Sequence, residues 1–181
     1  MKSITKTFIA VVSFLMPLAN WAQSTPTSND HNEIRLNVLG LVLPGLVDVT
    51  YERIIDDNQA VGLQSSFYIP NEDLGNYLFK YSFSPYYRLY TSSKYSQGFF
   101  MQLGLNASSA LVDVYDYSDL YMLDIRTEDV FLFGPEVGLG GKWVIRNGLV
   151  IELGASLSRN IVNADYREFN GQYWLSIGKR F

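Results

Sequence analysis

The residues best suited to do chemistry in this sequence are nine charged side chains, spread among otherwise apolar segments. They are Arg35, Asp48, Glu52, Lys80, Arg88, Glu136, Lys142, Glu152 and Arg180. Burying an isolated charge away from water is prohibitive, so charges of both signs that face a shared interior must pair and hydrogen-bond. The spacing therefore predicts a network of ion pairs, provided that the segments turn one face towards a common interior.

Catalysis finds little support in the sequence. A lipid-modifying enzyme would need an acid–base residue beside a nucleophile such as Ser, and the only histidine, His31, lies in a polar tail. The chain has no cysteine and no H-E-x-x-H pattern. We therefore expect a protein that is not an enzyme, with no catalytic residue, no cofactor and no metal site. An enzyme that uses carboxylates alone is the alternative left open.

Eight strand-like segments would have to position the charges. They span residues 34–42, 46–55, 60–69, 77–90, 98–110, 130–145, 149–162 and 171–181. In the last five of them, large apolar residues alternate with polar or small ones, which is the pattern of a strand with two different faces. Pro85 and Pro135 interrupt two segments, and we expect β-bulges there because proline cannot donate to a strand ladder.

The terminal segment shows the pattern most clearly. Four large apolar side chains fall on one side, Tyr173, Leu175, Ile177 and Phe181, whereas Trp174 falls on the other side with Gln172, Ser176 and Arg180. About ten tilted residues are what crosses a bilayer as a β-strand, and an aromatic C-terminus suits a barrel strand that must be recognised and inserted. These four residues are therefore predicted to form a terminal insertion signal.

The apolar sides of the segments almost lack charges, and this observation distinguishes a transmembrane barrel from a soluble one. A soluble lipocalin-like barrel would carry its apolar face inside and a charged face outside. A transmembrane barrel turns its apolar face to lipid and its polar face to the lumen. A soluble sandwich would explain the terminal segment taken alone. The whole pattern predicts an all-β, eight-stranded antiparallel up-and-down transmembrane β-barrel over residues 33–181, with inward glycines making room for long charged side chains.

The connections between segments also follow a barrel pattern, because those after the third, fifth and seventh segments are the long ones. Outer-membrane barrels have short periplasmic turns and longer outer loops. The longest connection, 111–129, is acidic and contains Tyr115, Tyr117 and Tyr121, which are candidate contacts for an extracellular protein. It lacks the spacing of an EF-hand calcium loop. A solvated extension of the two flanking strands is the simpler alternative.

The N-terminus has the layout of a secretory signal peptide over residues 1–22, since Lys2 and Lys6 precede a short apolar run and small residues. Cleavage after Ala22 would leave 159 residues (181 minus 22), of which 23–32 would form a flexible periplasmic tail. The acidic balance and the lack of a run rich in Lys or Arg argue against nucleic acid as a partner. We expect a monomer in the outer membrane of a Gram-negative bacterium.

Three short segments stand out beside the eight-strand pattern: Asn37-Val38-Leu39-Gly40, Val49-Thr50-Tyr51-Glu52-Arg53 and Gly178-Lys179-Arg180-Phe181. With the signal peptide, they resemble small outer-membrane β-barrel proteins common in Bacteroidota. That family largely lacks an assigned function and is similar in architecture to the OmpA and OmpX barrels. Lys179 departs from it, because many insertion signals carry an apolar or aromatic residue there.

These observations together predict a structural or surface-interaction role, with a lumen filled by the charge network. Outer-membrane lipid and, during biogenesis, the barrel-assembly machinery are the expected partners. A narrow or gated pore is the first alternative, and a lipid-modifying enzyme is the second.

Overall fold

Eight antiparallel strands close into one barrel in the computed structural model, which describes residues 30–42, 46–68, 80–91, 96–116 and 124–181. The elements are β1 (Asn32–Asn37), α1 (Val38–Val42), β2 (Leu46–Asp56), β3 (Gln59–Tyr68), β4 (Tyr81–Tyr90), β5 (Gly98–Asp116), β6 (Asp124–Val144), a 3₁₀ turn (Arg146–Gly148), β7 (Leu149–Arg159) and β8 (Phe169–Arg180). No helix within the described ranges is long and apolar enough to cross a membrane. The predicted signal peptide lies outside the described residues, as does most of the predicted tail.

Each strand pairs with its neighbours in sequence, and β1 closes the barrel against β8. The closing pair continues past the strand ends, because Asn32 and Phe181 exchange two backbone hydrogen bonds of 2.9 and 2.8 Å. Both ends of the described chain therefore meet at one end of the barrel, here called the terminal end. The opposite end is called the loop end. The predicted eight-stranded up-and-down barrel is confirmed.

The two faces of the wall differ as the alternation predicts. Large apolar side chains point outward and are exposed, among them Leu103, Val137, Leu139, Trp143, Leu153 and Tyr173. Outward charges on the barrel wall lie near strand ends, such as Arg53 on β2 and Arg159 on β7. The inward positions are mainly polar, charged or glycine. The barrel is thus apolar outside and polar inside, the reverse of a soluble barrel.

The first strand is shorter than predicted. β1 ends at Asn37, and residues 38–42 form the short helix α1 rather than a continuation of the strand. The Asn37 side chain explains the break, since its Oδ1 accepts hydrogen bonds from the backbone N–H of Leu39 (3.1 Å) and of Leu175 on β8 (3.2 Å). An asparagine side chain that satisfies the first free N–H groups favours the start of a helix.

The connection predicted over residues 111–129 is largely strand instead. The ladder of β5 with β6 continues without a register shift from Gly98↔Lys142 to Asp116↔Asp124. The interpretation as a loop was therefore wrong, and the alternative of a strand extension is correct. Residues 111–115 are mostly β-branched or aromatic, which suits a strand, but the many acidic residues of the segment 111–129 obscured this preference.

The bulge expected at Pro85 is not present, whereas beside Pro135 the pairing shifts by one residue, between Glu136↔Ser158 and the isolated bridge Phe133↔Val162. Pro85 pairs with Leu63 and Pro135 with Leu105, each within an unshifted register. Pro85 instead lies where pairing with β5 skips two residues, and Pro135 lies next to the last β6–β7 pair, Glu136↔Ser158. Each proline thus coincides with a gap or a register shift in one of its two ladders, where its missing N–H is tolerated.

An Asn-Gly pair forms the turn between β6 and β7. Asn147 and Gly148 both have positive φ, at 65° and 71°. Asn-Gly is the preferred pair where both central residues of a tight turn need this conformation.

Candidate functional site

Seven charged residues from six strands meet in the half of the interior nearer the terminal end. They are Glu33, Arg35, Glu52, Arg88, Lys142, Glu152 and Arg180, and none is more than 5% exposed. We call them the charged cluster. Each occupies an inward position on its strand, which the alternation of large apolar and polar residues sets. The predicted lumen network is therefore seen in part.

Glu52 on β2 is the centre of the charged cluster. Arg35 Nη2, Arg88 Nη1 and Lys142 Nζ lie 2.9, 2.8 and 2.6 Å from its carboxylate oxygens. The hydroxyl of Tyr90 also donates to it, at 2.6 Å. The hydroxyl of Tyr86 donates to it as well, at 2.8 Å. Three cations and two phenols around one buried carboxylate offset the cost of removing its charge from water.

Glu33 is the second carboxylate and was missed in the sequence. It pairs with Arg35, with Arg180 and with Lys142, whose Nζ lies 3.0 Å away. It escaped notice because it directly follows the polar tail, at the predicted edge of the barrel. Its spacing of two residues from Arg35, with Asn37 two further on, is the signal that could have found it.

Glu152 on β7 completes the set of acids. Its carboxylate makes a two-contact ion pair with Arg88 on β4, at 2.7 and 3.2 Å, and lies 3.4 Å from Arg35 Nε. The indole N–H of Trp174 donates to it at 2.7 Å. Since β4 and β7 are not neighbours in the sheet, the ion pair crosses the interior.

Aromatic side chains fill the space around these charges. The guanidinium carbon of Arg88 lies 3.8 Å from the ring centre of Phe100 and 4.6 Å from that of Tyr86. Lys142 Nζ lies 4.5 Å from the ring centre of Tyr90. Such contacts stabilise a cation once it is out of water.

Inward glycines make room for these large groups, which include aromatic rings as well as the charged side chains that were predicted. A Cβ at Gly154 would overlap the Trp174 ring, and one at Gly140 would overlap the Phe100 ring. A Cβ at Gly178 would overlap the Arg35 side chain. The wall and the cluster therefore fit each other closely, and the interior at this level is packed with side chains.

Ser96 covers the interior at the terminal end. It is fully buried, its backbone O accepts from Arg180 Nη2 at 3.2 Å, and its hydroxyl donates to the backbone O of Asp56 at 2.8 Å. The turn between β4 and β5 is thus tied both to the charged cluster and to the turn between β2 and β3.

The half of the interior nearer the loop end has a different character. It is lined by amides, hydroxyls and two carboxylates, here called the polar ring: Asn37, Asp48, Gln64, Ser66, Ser82, Ser84, Asn106, Glu136, Ser156 and Gln172. Asp48 accepts from Asn37 (3.1 Å) and Gln64 (2.8 Å). Two of the nine predicted network residues, Asp48 and Glu136, therefore belong to the polar ring and form no ion pair with any described Arg or Lys.

Glu136 accepts from Ser84 Oγ at 3.1 Å and from Gln102 Nε2 at 3.2 Å. Gln102 in turn accepts from Arg88 at 2.7 Å. The amide of Gln102 is therefore the link between the polar ring and the charged cluster.

Lys80 does not take part in the interior network, so the prediction that placed it there was wrong. It lies one residue before β4 begins, its side chain is 45% exposed, and it pairs with the exposed Asp129 at 2.5 Å. The alternation continues through Lys80, but the barrel interior ends before it.

The terminal insertion signal cannot be read from geometry alone and stays a prediction. Tyr173 and Phe181 are exposed on the outer face, whereas Leu175 and Ile177 are half-buried there. Of the predicted surface contacts, Tyr115 lies on the extended part of β5, and Tyr117 and Tyr121 lie outside the described residues. In the described part of the chain, no three His, Cys, Asp or Glu side chains group so as to hold a metal.

Comparison with known proteins identifies a similar fold but no matching family. No protein-family model matches the chain, and no curated protein matches it. The crystal structure of the N-terminal β-barrel domain of Pseudomonas aeruginosa OprF is similar to it, with a TM-score of 0.57 and 10% sequence identity, over 84% of this chain and 98% of that one. At this identity the likeness shows the fold, an OmpA-like eight-stranded barrel.

Proposed function

We propose that this chain is a small outer-membrane β-barrel protein with a structural or surface-interaction role and an interior filled by ion pairs. The outer surface of the barrel carries this proposal. Leu139, Leu103 and Tyr173 are 64%, 61% and 63% exposed on a wall whose outward charges lie near strand ends. Soluble monomers rarely expose large contiguous apolar surfaces, and a lipid-facing wall requires one.

A closed barrel also satisfies a second requirement of the bilayer. Backbone N–H and C=O groups within lipid must be paired internally, which a barrel without a free edge achieves. The pairing of β1 with β8 supports this requirement. The fold likeness to the OprF barrel agrees with the proposal, and the resemblance to small Bacteroidota barrels is a finer part of it.

The orientation and partners are further parts of the proposal. Both termini would lie in the periplasm, because the turns at the terminal end are short and outer-membrane barrels keep short turns there. The extended β5–β6 hairpin would then project outside, where Tyr115, Tyr117 and Tyr121 are candidate contacts for an extracellular protein. Lipid and the barrel-assembly machinery would be its other partners, and the protein would act as a monomer without enzymatic activity.

Cell fractionation with a heat-modifiability gel tests the proposal. The folded protein should be found in the outer-membrane fraction and migrate faster unboiled than boiled. Release by osmotic shock, with no difference between boiled and unboiled samples, would contradict it.

A narrow pore is the second candidate, because the polar ring leaves the loop-end half of the interior hydrophilic. The packed charged cluster and Ser96 argue against a continuous path. Purified protein in planar bilayers should give no steady conductance. Reproducible channels whose ion selectivity changes in Arg88→Gln would favour the pore.

A further inference from the structure

The buried charges of the barrel are divided unequally between its two halves. The charged cluster holds three carboxylates and four cationic side chains, so it carries one net positive charge when all are ionised. The polar ring holds two carboxylates, Asp48 and Glu136, and no Arg or Lys among the described residues. A buried carboxylate held only by neutral donors is costly unless a positive charge joins it.

The polar ring also has an excess of oxygen atoms over donors. Four of its buried oxygens have no hydrogen-bond partner among the described residues: Asp48 Oδ1, Asn106 Oδ1, Ser156 Oγ and Gln172 Oε1. Buried polar atoms are normally satisfied, and each exception asks for an explanation. The three amide and carboxylate oxygens only accept, so they call for a bound donor or a cation, whereas the Ser156 hydroxyl can donate to the Glu136 carboxylate and still accept or bind a cation through its lone pairs.

Glu136 lies on the strand between the two strands that carry Asn106 and Ser156. Asn106 is on β5, Glu136 on β6 and Ser156 on β7, at inward positions of three adjacent strands. Ser84 joins the first two, because its Oγ lies 3.1 Å from Glu136 Oε2 and 2.8 Å from Asn106 Nδ2. Asn106, Glu136 and Ser156 are 1%, 2% and 8% exposed, so water competes little for their oxygens.

We propose that the polar ring binds a monovalent alkali cation beside Glu136. The Glu136 carboxylate, Asn106 Oδ1 and Ser156 Oγ would supply the ligands, and oxygen atoms of this kind suit hard cations. A single carboxylate is neutralised by a single positive charge, which favours a monovalent ion over Ca²⁺ or Mg²⁺, whose sites use more charge or stricter geometry. The ion would enter from the loop end, because the charged cluster and Ser96 fill the terminal end.

This inference does not depend on the proposed cellular location, and it can be tested on the purified barrel in detergent. Its unfolding temperature is measured in NaCl and KCl, and in N-methyl-D-glucamine chloride at the same ionic strength. We expect a higher unfolding temperature in the alkali salts. Glu136→Gln should lose that difference, and Asp129→Asn, which alters an exposed carboxylate, should keep it.

A second variant and a direct observation cover the case in which Glu136→Gln does not fold. Asn106→Ala retains the carboxylate and removes one ligand oxygen, so it should weaken the response to alkali ions. Crystals of the wild-type protein grown with thallium(I) should show an anomalous peak beside Glu136. Equal unfolding temperatures in all three salts, or thallium only at surface carboxylates, would overturn the proposal and leave a protonated or merely hydrated Glu136.

Discussion

The Arg88 guanidinium and the Glu152 carboxylate form a two-contact ion pair across the barrel interior, from β4 to β7. Both side chains are almost fully buried, at 1% exposure each. The pair therefore connects parts of the wall that share no backbone hydrogen bonds, and it holds the cross-section of the barrel at a fixed size.

Removing one partner of this pair should destabilise the barrel strongly. Arg88→Gln leaves Glu152 without its two-contact partner, and breaking a buried ion pair on one side costs about 3–5 kcal/mol. The free energy of unfolding in urea, measured in lipid vesicles, should fall accordingly. Arg159→Gln is the matched control, because Arg159 and Glu168 form an exposed pair at 3.3 Å, and such pairs contribute about 0–1 kcal/mol. Equal losses in the two variants would contradict the role given to the charged cluster.

The fit between inward glycines and large side chains leads to a second prediction. Gly154→Ala would place a Cβ against the Trp174 ring, and overpacking of this kind costs about 1–3 kcal/mol. Gly171→Ala on the neighbouring strand is the control, since nothing lies within 4 Å of its new Cβ. We expect a lower unfolding temperature for Gly154→Ala alone. Similar values for both variants would mean that the interior is loose at this level.

Much of the fold follows from the alternation of residue types, because a strand has only two faces and one of them must be buried. The inward positions of Arg35, Arg88 and Glu152 were predictable on this basis. Their partners were not, because contacts across the interior depend on the stagger of the strands around the barrel. Because this stagger cannot be read from the sequence, Asp48 and Glu136 were predicted to pair with the cations, although they lie in the polar ring.

Local side-chain chemistry caused the other differences. Asn37 ends β1 through hydrogen bonds to Leu39 and to a strand distant in sequence, Leu175 on β8, which no local pattern shows. Glu33 belongs to the interior although it borders a polar tail. Lys80 continues the alternation beyond the point at which the interior ends. The edges of elements are therefore where the periodic pattern stops being informative.

The last residue should matter for assembly. Phe181 is 49% exposed on the outer wall, and its backbone closes the barrel against Asn32. Burial of a Phe side chain in lipid contributes about 1.5–3 kcal/mol, and deletion of Phe181 would also remove the final pair of closing hydrogen bonds. We expect lower levels in the outer membrane and periplasmic degradation, measured by immunoblotting of fractions. Wild-type levels of the truncated protein, with unchanged heat-modifiability, would show that the terminus is not part of the insertion signal.

The two tryptophans of the barrel test the central claim, that the apolar outer face contacts lipid around a packed interior. Trp143 points outward and is 50% exposed, whereas Trp174 points inward and is 3% exposed. In vesicles of brominated lipid, the Trp174→Phe variant, which retains Trp143, should lose much of its tryptophan fluorescence. The Trp143→Phe variant, which retains Trp174, should lose little, and acrylamide in the aqueous phase should not quench it. Quenching of Trp143 by acrylamide but not by brominated lipid would contradict the account.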